Sequence, residues 1–132
     1  PHRHIVISIP NLLWPWLKED RSRWKLYMDA AISMLNECLS IFTHQKLRVG
    51  AIIVLHPFGK DTDFQPHLHI IMTEGGFNSK LKFIHKKYLP AGIMRKKWMF
   101  YVLKLFQKFG LSNSLVSRCY KLYPNGFYVW VH

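Results

Sequence analysis

The 132-residue chain reads as an α+β fold in the order β-α-β-β-α-β, and three observations carry that expectation. Short β-branched runs alternate with two long stretches of three- and four-residue apolar spacing. Each run ends in Pro, Gly or Asn. The second and third runs are separated only by a turn-rich loop, as an antiparallel hairpin requires.

The first run, His4 to Ile9, puts Ile5, Ile7 and Ile9 on one face before Pro10-Asn11 stops it. Asn11 to Arg21 reads as a connector carrying Trp14, Pro15 and Trp16. From Ser22, a plausible N-cap, the period changes. Trp24, Tyr27, Met28, Ala31, Ile32, Leu35, Cys38, Leu39 and Phe42 form the stripe of an amphipathic helix packed on a core. Arg48 to His56 is the second strand, stopped by Pro57 and Gly59, and His67 to Thr73 is the third, ended by Gly75-Gly76. Phe77 to Pro90 reads as a basic irregular segment. A second helix runs from about Ile93 to Phe109, with Trp98, Val102, Leu105, Phe106 and Phe109 on one face and Gly110 as its stop. Leu111 to Gly126 is mixed, with room for a helical turn, and Phe127 to Val131 is the last strand. This order is that of the ferredoxin-like split βαβ fold, an antiparallel sheet with helices on one face and the other face open. One domain over residues 1–132 is the expectation for this length, and the start at Pro1 reads as a fragment of a longer polypeptide.

Composition narrows the partners. The formal charge is +12, from 19 Lys and Arg against 7 Asp and Glu. The imbalance is concentrated: His67 to His132 holds eleven basic residues against Glu74 alone. Such a surface favours a polyanion, nucleic acid before membrane. Two distant cysteines, Cys38 and Cys119, argue against a disulfide framework or zinc ribbon, and no apolar run is long enough to span a bilayer.

The chemistry concentrates in Gln65-Pro66-His67-Leu68-His69-Ile70-Ile71-Met72. On a strand, His67 and His69 share a face while Leu68, Ile70 and Met72 take the other, with the two histidines about 7 Å apart at the backbone. Two imidazoles at that spacing can converge on one divalent metal, or can be exposed residues of a half-polar face. His56 ends the neighbouring strand, where it either supplies a third imidazole or bonds the loop. Gln65, Asp61 and Asp63 are alternative oxygen donors.

Three ordered blocks carry a resemblance: Arg3-His4-Ile5-Val6-Ile7-Ser8-Ile9-Pro10, then Val54-Leu55-His56-Pro57-Phe58-Gly59, then Gln65-Pro66-His67-Leu68-His69 ending in Glu74-Gly75-Gly76. Together they are similar to rolling-circle transposases of the insertion-sequence-91 type, within the HUH (His-hydrophobic-His) endonuclease superfamily. The resemblance implies nicking and rejoining of single-stranded DNA at transposon ends through a phosphotyrosine. It implies Mg²⁺ or Mn²⁺ on His67 and His69, with His56 beside them, in a prokaryotic cytoplasm at the nucleoid. Lys80, Lys82, Lys86, Lys87, Arg95, Lys96 and Lys97 are the candidate DNA contacts. The family often carries a further His where this chain has Gln65, and its nucleophilic tyrosine lies on a helix after the final strand. Tyr88, Tyr101, Tyr120, Tyr123 and Tyr128 do not match that position, so the catalytic tyrosine is not identified in this chain.

Two other readings remain at this point. One is a non-catalytic RRM-like nucleic-acid-binding module, which would want aromatics on the central strands. The other is a zinc hydrolase using the three histidines, for which Glu74 is the one nearby acidic base beyond the loop Asp61 and Asp63.

Overall fold

In the computed structural model, which describes residues 1–59 and 63–132, eleven elements follow one another. They are β1 (His2–Ser8), a 3-10 turn (Asn11–Leu13), α1 (Trp14–Lys18), α2 (Arg23–Thr43), β2 (Ala51–Phe58), β3 (Phe64–Thr73), β4 (Gly75–Phe77), β5 (Phe83–His85), α3 (Ala91–Lys108), α4 (Asn113–Leu122) and β6 (Val129–Val131). The main sheet has the order β2-β3-β1-β6, every neighbour antiparallel. With α2 and α3 packed on one face, this is the expected ferredoxin-like α+β arrangement.

Period-two alternation sorts the sheet. Ile5 and Ile7 of β1, Leu68, Ile70 and Met72 of β3, and Val129 of β6 are buried under the helices. From the helical side, Tyr27, Met34 and Leu35 of α2 meet Trp98, Val102 and Phe106 of α3. The rings of Tyr27 and Trp98 lie 5.5 Å apart and tilted. The Trp98 indole N–H donates to the Ser8 carbonyl at 2.9 Å, which ties α3 to the end of β1. Cys38 is a core residue as its stripe position implies, and burial pushes its thiol up to about 12.

Several expectations need correcting. The connector after β1 folds into the 3-10 turn and α1, because Pro15 sits in the first turn where its missing N–H is no loss. Ser22 flanks α2 without capping it through its side chain; its hydroxyl donates to Asp20 instead. Pro57 does not stop β2. The register shifts between His56 and Phe58, a bulge that absorbs the proline. The segment expected to be irregular contains the β4–β5 hairpin. Asn78 organises its turn by accepting the backbone N–H groups of Lys80 and Lys82 at 2.9 and 3.0 Å. Beyond α3, three turns of helix replace the single turn, with Ser112 accepting the Leu115 N–H as a true N-cap.

Gly126 joins the α4 end of the chain to the last strand. It has φ +90°, and an added Cβ would lie 2.3 Å from the backbone carbonyl of Arg95 on α3. Gly126→Ala is therefore expected to destabilise the fold by about 2–4 kcal/mol. Gly92→Ala on α3, where an added Cβ meets nothing within 4 Å, should stabilise by about 0.5 kcal/mol. Denaturant unfolding of the two variants checks both signs.

Candidate metal centre

The burial of Leu68, Ile70 and Met72 places His67 and His69 on the open face of β3. β2 pairs with β3 so that His56 stands directly across from His67. The ring centroids are 5.3 Å apart for His56 and His67, 4.3 Å for His56 and His69, and 5.1 Å for His67 and His69. One ring nitrogen of each lies within 4.8 Å of the other two. Donors bound to one ion at about 2.1 Å can be no more than about 4.2 Å apart, so a small rotation of half-exposed side chains closes the set. Three neutral imidazoles suit a divalent cation, and the residues present fit one. Among the described residues this is the group of His, Cys, Asp and Glu side chains that reaches such spacing.

Backbone and neighbours orient the rings. His67 Nδ1 lies 2.8 Å from the Gln65 carbonyl. A carbonyl only accepts, so the proton is on Nδ1 and Nε2 keeps its lone pair for a metal. His69 Nδ1 lies 3.1 Å from Nε2 of His4 on β1. When His69 is the donor of that bond, its Nε2 is likewise free. His4 is the residue that the sequence reading missed, although the alternation of His2 and His4 against Ile5 and Ile7 carried the signal. His4 in turn stacks on His132 at 5.5 Å, with Trp130 edge-on at 6.3 Å. Arg3 donates to the carbonyls of His132 and Lys87, both at 2.6 Å, and so fastens the chain's end beside β1. The pKa of His69 is held below the ordinary imidazole range, first by burial and then by charge on His56, His67 and His4. Both causes favour the neutral form that binds metal.

The remaining candidates are spread out. Gln65 contributes its carbonyl to His67. The Asp63 carbonyl accepts the Gly59 N–H across the loop, and Asp61 lies outside the described residues. Glu74 is five residues beyond His69, about 16 Å along the strand. There it accepts a hydrogen bond from His85 Nε2 at 2.7 Å, which holds its carboxyl below the usual range. Glu74, as a candidate base, is therefore engaged with His85. Lys80, Lys82 and Lys87 are exposed on and after the β4–β5 hairpin, and Lys86 is half-buried. Arg95, Lys96 and Lys97 ride on α3 in the helical layer and are not brought to the imidazoles. Arg95 donates to the Val129 carbonyl at 3.2 Å, and Lys97 pairs with Glu37 at 3.2 Å. Tyr101 is half-buried on α3, Tyr120 is exposed on α4, Tyr123 packs edge-on against Phe127, and Tyr88 is exposed. Tyr128 alternates with buried Phe127 and Val129 and so shares the open face with the histidines.

Fold and site together define an α+β chain with a candidate three-histidine metal centre on an uncovered sheet. Residues 50–119, which include all three histidines, match the Y2_Tnp transposase family, and the chain belongs to that family. It is also 32% identical over 108 residues to the transposase for insertion sequence element IS801 of Pseudomonas savastanoi pv. phaseolicola. That alignment covers 77% of this chain and 24% of the relative, so the chain spans about a quarter of that protein. No solved structure matches. Among the described residues no helix is long and apolar enough to cross a membrane.

The depressed His69 pKa has a checkable consequence. With the unfolded value at 6.5 and the folded value below it, the unfolded chain takes up the proton first as pH falls. Stability contributed by neutral His69 is then present above pH 6.5 and lost through the folded pKa. In metal-free protein, an NMR titration of the His69 ring should give a midpoint below the ordinary imidazole value of 6.5, and His56→Gln should raise it.

Proposed function

We propose that this chain is the metal-holding part of a rolling-circle transposase of the HUH, insertion-sequence-91 type, which nicks and rejoins single-stranded DNA at transposon ends. The observation that supports this most is the convergence of His56, His67 and His69 from two paired strands on the open face. Mg²⁺ or Mn²⁺ bound there supplies Lewis-acid polarisation of the scissile phosphate and offsets charge developing on it. His67 and His69 would hold the ion, with His56 as the third ligand. The Gln65 carbonyl keeps His67 in the metal-ready tautomer, and His4 does the same for His69 when it accepts from His69 Nδ1. Lys80, Lys82, Lys86 and Lys87 meet the phosphates of the strand as it crosses the domain, while Arg95, Lys96 and Lys97 stand on the other layer, away from the histidines. The attacking group is a tyrosine hydroxyl, and this reading assigns that role to none of the tyrosines named above. An RRM-like module has less support, because the central strands β1 and β3 present His4, Val6, His67, His69 and Ile71 where stacking aromatics would be needed.

Calorimetric melting with Mn²⁺ or Mg²⁺ tests the site. At one hundred times Kd, an ion that binds only the folded chain adds about 2.7 kcal/mol, a rise of roughly 5–10 °C for this size. His67→Ala with His69→Ala should abolish the rise; a rise that survives the double variant would overturn the assignment. His4→Ala removes no ligand yet should weaken Mn²⁺ about 10- to 100-fold, measured by isothermal titration with the unliganded melting temperature as control.

A further inference from the structure

We propose that the cavity beside His67 is a nucleobase site, taking one unpaired base of the strand whose phosphate reaches the three histidines. This rests on the function proposed above and names what else that face binds. The cavity has a volume of about 280 Å³ and is lined by Val6, Ser8, Trp14, Gln65, His67 and Tyr128, among others. That is room for about nine waters at about 30 Å³ each, the scale of one planar heterocycle and its hydration.

Its position follows from strand pairing. Ser8 is the register partner of His67 on one side, and its N–H donates to the Tyr128 carbonyl at 3.2 Å on the other. With strands about 4.8 Å apart, the Tyr128 backbone stands about 10 Å from that of His67, with β1 between them. That is the reach from a phosphate held at the histidines to the base of an adjoining nucleotide.

The lining has the chemistry of a base pocket. Tyr128 is 52% exposed while Phe127 and Val129 beside it are buried, so its ring stands on the open face. Trp14 donates its indole N–H to the Ile9 carbonyl at 3.1 Å, which fixes the ring before anything binds. A preset aromatic wall costs little entropy on binding, and stacking on it tolerates any base. Ser8 and Gln65 add polar edges. The mixture of rings, polar atoms and a shared histidine, in a chain of net charge +12, favours a base carried on a phosphate backbone over an apolar peptide.

The test compares a short oligothymidylate with an abasic sugar–phosphate of the same length, each titrated into the chain with Mn²⁺ present. Tyr128→Ala should weaken oligothymidylate about tenfold, the loss of one stack, and leave the abasic backbone unchanged. Tyr128→Phe should keep the native affinity, and Trp14→Leu should repeat the base-dependent loss. Equal loss on both probes, or none on either, would overturn the site. Melting with Mn²⁺ separates the two ideas. A Tyr128→Ala chain that keeps its metal-dependent rise but shows no base-dependent loss removes this pocket alone. A native chain without the rise removes the metal reading.

Discussion

Leu68, Ile70 and Met72 are sealed beneath two helices, and because side chains alternate along a strand, their burial decides where His67 and His69 must point. A slip of one residue in β3 would put two imidazoles into the core and three large apolar side chains into water. Each unsatisfied polar group so buried costs on the order of 1–3 kcal/mol, and each exposed apolar side chain forfeits about 1.5–3 kcal/mol. The register of the central strand is therefore fixed by packing, and the histidines inherit their face from it. The same logic carries across the pairing: once β3 is set, His56 and Ser8 are placed opposite His67, and Val6 and Val54 opposite His69.

The bulge between β2 and β3 does the finer positioning. Between the pairs His56–His67 and Phe58–Phe64, Pro57 alone faces Gln65 and Pro66. Both prolines sit where a ladder hydrogen bond is already missing, so neither costs the sheet a donor it would have used. The carbonyl of Gln65, outside the paired register, is free to accept a hydrogen bond from the His67 Nδ1–H. From below, the hydroxyl of Tyr27 on α2 donates to the Pro66 carbonyl at 3.3 Å. Burial pushes the Tyr27 pKa far up, so this hydroxyl keeps its proton at any working pH. A core helix thus braces the turn that orients a candidate ligand.

What could be read from residues alone followed the strength of local periodicity. The alternation in β1 and β3 and the long stripes of α2 and α3 are repeated signals, and their faces emerged largely as expected. Even there the stripe of α2 missed Met34, which is fully buried. α1, five residues long, is too short to show a period. The β4–β5 hairpin has three residues to a strand and rests on turn chemistry at Asn78 and on Leu81 at φ +60°, neither of which alternation detects. The charge count found the basic half of the chain but not its layers: Arg95 and Lys97 are tied to Val129 and Glu37, on the far side of the sheet from the histidines. His4 was legible as an open-face residue, yet its contact with His69 depends on a pairing 65 residues away.

The donor set bears on the choice of substrate. Among the described residues no carboxylate joins the three histidines, and Glu74, just past the end of β3, is committed to His85. Carboxylate ligands would neutralise much of a bound dication, whereas imidazoles leave its charge intact. A centre of that kind is poorly matched to a neutral substrate that must be deprotonated by a neighbouring base, since among the described residues no carboxylate joins it. It is well matched to a phosphodiester, whose own negative charge completes the neutralisation. The neighbouring imidazoles and the composition of the chain extend the same bias. His4 and His132 continue the imidazole row, and the chain beyond β3 carries its basic excess with Glu74 its one acidic side chain. Field and ligand chemistry point to the same anion, and that agreement favours nucleic-acid chemistry over hydrolysis of an uncharged bond.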